Sequence, residues 1–157
     1  MNKNQENGRK FEDYIHNILL QTNLPILREK EIKSRYFSYI SGIDHLIITK
    51  EYCIAIQDKY VKSKKPSNVD INHFKCCVND LSRFMNTKII GIYLSLLKPT
   101  SYAVDSFNFE NSLKNNEFLF INNEDPNKLV NNLVEFLYTK NIYLYEGEDL
   151  IMLDNFF

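Results

Sequence analysis

The residue types best suited to chemistry stand at three positions, Asp44, Gln57 and Lys59. Asp44 follows Gly42-Ile43 at the start of one apolar run, and Gln57 and Lys59 stand near the end of the next. If both runs are strands, Gln57 and Lys59 share one face and Asp58 points to the other, because successive side chains alternate. In an antiparallel hairpin the start of one strand lies beside the end of its partner, so Asp44 can meet Gln57 and Lys59 at one end of the sheet. A carboxylate, an amide oxygen and an ammonium gathered there suit a Mg²⁺ ion and a phosphate. Mg²⁺ takes hard oxygen ligands, keeps several waters and needs only one or two carboxylates besides a substrate phosphate. Lysine supplies a point charge for a phosphate or an attacking hydroxide. Glu12 adds to the set: Gly8, Glu12 and His16 form an i, i+4, i+8 row on a helix whose apolar stripe begins at Phe11. The same residues also fit a plainer arrangement, with Asp44 and Lys59 as a sheet-edge ion pair, Gln57 as a rim residue and Glu12 as an exposed helix carboxylate.

The elements that must position these groups follow from periodicity. Phe11, Ile15, Ile18 and Leu19 lie on one face of a helix over about 8–22, and Pro25 follows its end. Three strand-like stretches come next. Glu31 to Ile40 contains the strand-favouring Tyr36, Phe37 and Tyr39, and Ser41-Gly42 marks a turn. Ile43 to Thr49 and Tyr52 to Tyr60, split only by Lys50-Glu51, form an antiparallel hairpin. Ser67 caps a helix over about 68–86 with the stripe Ile71, Phe74, Val78, Leu81 and Met85. Lys88 to Leu97 reads as a buried central strand reached by a parallel crossover. No element is assigned over Lys98 to Asn116. Glu117 to Ile121 is a short strand, Asp125-Pro126 opens an amphipathic helix to about Lys140, and Ile142–Tyr145 with Leu150–Leu153 suggests a small hairpin. The result is an α/β fold with a central mixed sheet flanked by helices.

Composition narrows the classes. With 157 residues, 44 % hydrophobic and 25 % charged, the chain is expected to be a single domain, neither disordered nor collagen-like. No apolar run nears the roughly 18 residues of a membrane span, and residues 1–10 carry no apolar signal region, so an intracellular, unsecreted protein is expected. Cys53, Cys76 and Cys77 offer neither a disulfide framework nor a CxxC zinc spacing. The formal charge of −1 is a cancellation. Residues 27–65 hold nine basic against five acidic residues, whereas residues 100–157 hold three against ten. Lys62, Lys64 and Lys65, just past Lys59, can grip nucleic-acid phosphates or form a solvated loop. His45 alternates away from Asp44 and is left unassigned, and His16 reads as a helper in the site or a surface histidine.

The helix Gly8-Arg9-Lys10-Phe11-Glu12, then Gly42-Ile43-Asp44-His45-Leu46-Ile47-Ile48, then Ile54-Ala55-Ile56-Gln57-Asp58-Lys59, resembles the core of the PD-(D/E)XK, restriction-endonuclease-like nuclease superfamily. The resemblance covers about residues 8–97, leaving 98–157 as a C-terminal elaboration. It implies a restriction-endonuclease-like αβββαβ core and a Mg²⁺- or Mn²⁺-dependent endonuclease acting on DNA, structure-selective or partner-directed, with a homodimer expected. It assigns Asp44 as metal ligand, Gln57 to the second acidic position, Lys59 as the catalytic lysine, Glu12 as the helical acid and the backbone carbonyl of Asp58 as a further ligand. Gln57 departs from the usual acid and carries no charge, but Gln-x-Lys recurs in Mrr-like enzymes. The missing proline before Asp44 is a smaller departure. The alternative from a different class is a catalytically inactive nuclease-fold module for DNA binding or protein assembly, with the acidic C-terminal region and Phe156-Phe157 serving a protein partner. Nothing in the sequence separates DNA from RNA.

Overall fold

The computed structural model describes residues 2–145. A five-stranded mixed sheet in the spatial order β1-β2-β3-β4-β5 carries helices on both faces. Helix α1 (Lys3–Leu20) is closed at its start by a capping box between Asn2 and Gln5, which satisfies two otherwise orphaned backbone donors. Its stripe Phe11, Ile15, Ile18 and Leu19 is buried as the periodicity requires. Strand β1 is Ile26–Arg28, and helix α2 is Glu29–Arg35. Strands β2 (His45–Ile48) and β3 (Tyr52–Lys59) form the expected antiparallel hairpin, with His45 opposite Ile56 and Ile48 opposite Cys53. Helix α3 (Asn68–Met85) starts where Ser67 accepts from the Asp70 N–H. It leads into β4 (Lys88–Ser95), which pairs parallel to β3 and is buried along nearly its whole length. Helix α4 (Ser101–Ser112), β5 (Glu117–Asn122) and α5 (Pro126–Thr139) complete the elements of the described residues, β5 running parallel to β4.

Two expectations are corrected. Residues 31–40 are not a strand. Glu29 to Arg35 are helix formers with acids in the first turn and bases in the last, a charge order that suits the helix dipole, and Lys33 pairs with Glu29 at 3.0 Å. Tyr36 and Phe37 then pack against the core from the following loop. The third antiparallel strand is instead Ile26–Arg28, paired with His45–Ile47. Likewise residues 142–145 form no strand: Ile142 and Leu144 are buried against the sheet and the Tyr145 N–H donates to the Gln21 carbonyl. Leu150–Leu153 lies outside the described residues.

Strand alternation divides the core in two. Ile47, Ile54, Ile56, Ile92 and Leu94 meet α1 and α5. Leu46, Cys53, Ala55, Ile89 and Tyr93 meet α2, α3 and α4. Gly91, in the middle of β4, has no side chain because the Phe118 and Phe74 rings occupy that space. Among the described residues no helix is long and apolar enough to cross a membrane.

Candidate functional site

Both faces converge at the open end of the β2–β3 hairpin. Asp44 lies just before β2 and is buried, held from two sides. Its N–H donates to the Ile56 carbonyl at 2.8 Å, and its Oδ2 accepts from the Asp58 N–H at 2.8 Å. The carboxylate therefore extends the hairpin ladder where the backbone of β2 can no longer do so. Asp58 follows Ile54 and Ile56 on the α1 face, and α1 presents Glu12 there. The carboxylate oxygens of Glu12, Asp44 and Asp58 lie within 4.8 Å of one another.

Buried histidine completes this side. His45 is fully buried, and its Nε2 lies 2.6 Å from Asp58 Oδ2. The His16 ring stacks beside it with centroids 6.2 Å apart. Glu12 accepts from Arg28 Nη2 at 2.8 Å, an arginine shared with Asp13 at 2.7 Å. This pair is a third exposed, so it adds little stability but fixes the direction of the Glu12 carboxylate.

Burial governs protonation here. Desolvation holds the Asp44 carboxyl well above its usual range, with the Asp58 charge adding to the effect. Asp58 is pushed up to about 8, first by burial and then by Glu12. His45 is driven down to about 4 by burial. Carboxylates this close, out of water, cannot all ionise, so one proton resides between His45 and Asp58. A divalent cation would relieve that repulsion directly. Opposed ligands on Mg²⁺ stand about 4.2 Å apart, twice the Mg–O distance of about 2.1 Å. The donor set, one hard carboxylate oxygen from each of three residues within 4.8 Å, is of the type such an ion takes and would have to draw slightly closer to share it.

Gln57 and Lys59 follow Cys53 and Ala55 onto the other face, where they line a cavity of ≈ 200 Å³ with Gly42, Asp70, His73 and Tyr93. Ser41 Oγ and His73 Nε2 are 2.6 Å apart at its edge. Gln57 is buried, and its Oε1 has no hydrogen-bond partner among the described residues. Its Nε2 makes a long 3.5 Å contact to the Asp58 carbonyl, the atom expected as a ligand. Burial, then Asp70 and Asp44, hold the Tyr93 hydroxyl above its usual pKa. Thus the structure joins Asp44 with Glu12 as expected. It places Gln57 and Lys59 at the same hairpin end on the opposite face, and it adds the Asp58 side chain to the carboxylates. Lys62, Lys64 and Lys65 are exposed beyond β3, with Lys62 Nζ 5.6 Å from the Tyr60 ring centre.

Sequence reasoning missed His45 and the carboxylate of Asp58. The available signal was Asp58 itself, an acid in an apolar strand whose alternation puts it beneath Glu12. No protein-family model, curated protein or solved structure significantly matches this chain.

Proposed function

We propose that the chain is a metal-dependent endonuclease that hydrolyses phosphodiester bonds in DNA. The observation that carries this reading is the meeting of Glu12, Asp44 and Asp58 within 4.8 Å at the hairpin end that also bears Lys59. The element order supports a restriction-endonuclease-like core. It runs α1, β1, β2, β3, α3, β4, with α2 inserted between β1 and β2. Asp44, Glu12 and Asp58 would hold Mg²⁺ or Mn²⁺, with Gln57 Oε1 offering a neutral oxygen from the other face. Bound there, the ion supplies Lewis-acid polarisation of the scissile phosphate and a more acidic water.

The chain's own residues do the rest. Asp44, fixed by two backbone contacts, holds its carboxylate without reorganising. His45 keeps one Asp58 oxygen engaged, fixing that carboxyl beside Glu12 and Asp44. Lys59 donates to a phosphate oxygen or stabilises the attacking hydroxide. Lys62, Lys64 and Lys65 grip flanking phosphates, contacts that carry no sequence information. A homodimer would bring two such sites to two strands. The acidic excess over 100–157 suits a protein partner rather than nucleic acid.

Cleavage of supercoiled, branched and single-stranded DNA with Mg²⁺ or Mn²⁺ tests the reading. Wild-type protein should cut at least one substrate, and Asp44→Ala and Lys59→Ala should each lose at least about 100-fold in rate. Cleavage that survives both substitutions would sink the site. No cleavage of any substrate would favour the non-enzymatic module.

A further inference from the structure

The two edges of the sheet are finished differently. Strand β1 has three residues, follows Pro25 and ends on Arg28, which Glu12 and Asp13 hold. A short edge flanked by proline and charge discourages pairing with another chain. Strand β5, at the other edge, has six residues, and from Phe118 to Asn123 none is charged and none is proline.

The hydrogen bonds show which groups β5 leaves open. Both polar backbone groups of Phe118 point outward, where the Asn111 side chain accepts from the N–H at 2.7 Å and donates to the carbonyl at 2.9 Å. Asn123 points inward, its N–H donating to the Ser95 carbonyl of β4 at 3.2 Å. Bonding direction alternates along a strand, so Phe120 and Asn122 also turn their N–H and C=O outward. Among the described residues nothing pairs with those four groups. Donors and acceptors alternating in the plane of a sheet suit one partner, an extended backbone.

Register, helix placement and charge point to a second copy as that backbone. An antiparallel β5 set about a twofold axis at Ile121 puts each Phe120 opposite Asn122 of the other copy. All four open groups are then satisfied, and the Asn111 clamp on Phe118 stays in place. Centring on Phe120 instead would set Asn122 against the clamped Phe118. Helix α4, between two parallel strands, runs antiparallel to β5. Val104 lies two turns before Asn111 on the same side, about 10 Å or three strand residues away, which brings it level with Ile121. Val104 is 39 % exposed, so it meets its own copy on one face of the sheet as Ile121 does on the other. The register also carries Glu124 and Asp125 toward the start of the other β5, where Lys88, Lys114 and Glu117 line a cavity beside Asn111. Glu117 is engaged there by Lys88 at 4.0 Å. Lys114 has no ion pair among the described residues and can meet the incoming acids.

We propose that β5 is a self-pairing edge, through which two copies of the chain join antiparallel at Phe120–Asn122 into one continuous sheet. The inference rests on the strand edge and not on the nuclease reading. Lys59 is level with Asn122 through Ser95, so the pairing would hold the two hairpin ends about five strand spacings apart, roughly 24 Å.

Sedimentation velocity of the full chain across micromolar concentrations should show monomer–dimer exchange. Asn122→Pro removes an outward donor and no bond within the copy. It should raise the dimer dissociation constant at least about tenfold, since each dimer loses two hydrogen bonds. Val104→Glu should weaken the dimer while leaving the strand and the melting temperature unchanged. Ile121→Cys, with exposed Cys76 replaced by serine, should oxidise to a covalent dimer. The Cα atoms of such a non-hydrogen-bonded pair stand about 4.5 Å apart, within disulfide reach. Leu119→Cys, opposite Asn123, should not cross-link. A monomer at every concentration would overturn the proposal. So would a dimer that both Asn122→Pro and Val104→Glu leave intact, or one that Leu119→Cys captures as well as Ile121→Cys. Slow hydrogen exchange of the Phe120 amide in the monomer would show the chain covering its own edge, and would overturn it too. Dimerisation through this edge in a protein that cuts no DNA would uphold the pairing and leave only the nuclease reading to fall.

Discussion

Replacing Asp58 with asparagine should abolish most of a fall in stability that the metal-free protein undergoes between about pH 6.5 and pH 8. Asp58 keeps its proton in the folded state up to about 8, whereas an unfolded aspartate loses it near 3.8. The folded state then binds more protons than the unfolded one, so stability declines as pH rises. His45 works in the opposite sense. Unfolded histidine protonates below about 6.5 but folded His45 only below about 4, so its contribution to stability increases with pH over that range. Between pH 4 and 6.5 the two contributions cancel, as expected for one proton held across a 2.6 Å contact. Above 6.5 only Asp58 remains, with a slope of about 1.4 kcal/mol per pH unit, or about 2 kcal/mol across the window. Asp44, also held above its usual range, steepens the decline.

Urea denaturation followed by circular dichroism, at half-unit pH steps with a chelator, measures this directly. Relative to wild type, Asp58→Asn should lose the Asp58 share of the decline from pH 6.5 to 8, keeping only what Asp44 contributes, and should rise more steeply from pH 4 to 6.5, where Asp58 no longer offsets His45. Saturating Mg²⁺ should stabilise wild type more at pH 8 than at pH 6.5, because ligand carboxylates must ionise to bind it. Wild-type stability that is constant or rising over pH 6.5–8 would refute the buried cluster. So would an Asp58→Asn curve that tracks wild type.

Two further substitutions probe the packing that holds the site. Gly91→Ala should cost about 1–3 kcal/mol by overpacking, since its Cβ would lie 2.9 Å from Phe118 Cδ1 and 3.2 Å from Phe74 Cε2; an unchanged urea midpoint would refute that contact. Asn116→Ala should cost about 1–3 kcal/mol, the cost of one stranded buried donor: the Asn116 Oδ1 accepts from the buried Ile89 N–H and from the half-buried Ser82 Oγ, and its Nδ2 donates to the half-buried Asn79. Melting within 1 °C of wild type would contradict it.

The fold was legible wherever one local pattern ran for several residues. The α1 stripe, the hairpin with its two-residue break, the Ser67 cap and the apolar run of β4 each have a single physical reading, and each forms as read. Residues 26–40 misled because two short elements meet there. The β-favouring aromatics at 36, 37 and 39 outweighed the helix-forming Glu-Lys-Glu segment before them. Ile26–Arg28 is too short to show alternation, and it is a strand because β2 offers an edge to pair with. Helix α4 had the least signal: only Ala103 and Phe107 are buried on it, too narrow a stripe to distinguish a helix from a loop.

The site divides along the same line. Alternation placed Gln57 and Lys59 on one face and Asp58 on the other, and that separation holds. What it did not convey is that Asp44 sits at the exact end of a strand, where a side chain can turn toward either face. Asp44 Oδ2 turns to the Asp58 N–H, which carries the carboxylate over the strand end toward Glu12. In the proposed nuclease site, Asp58 would supply from the opposite side of the sheet the charge that Gln57 lacks. His45 followed the same path: facing away from Asp44 in the alternation made it look remote, yet it places the imidazole against Asp58. A motif read along the chain records which residues share a face. It does not record that the end of a hairpin joins both faces, so that carboxylates from one side of the sheet stand near the amide and ammonium groups of the other.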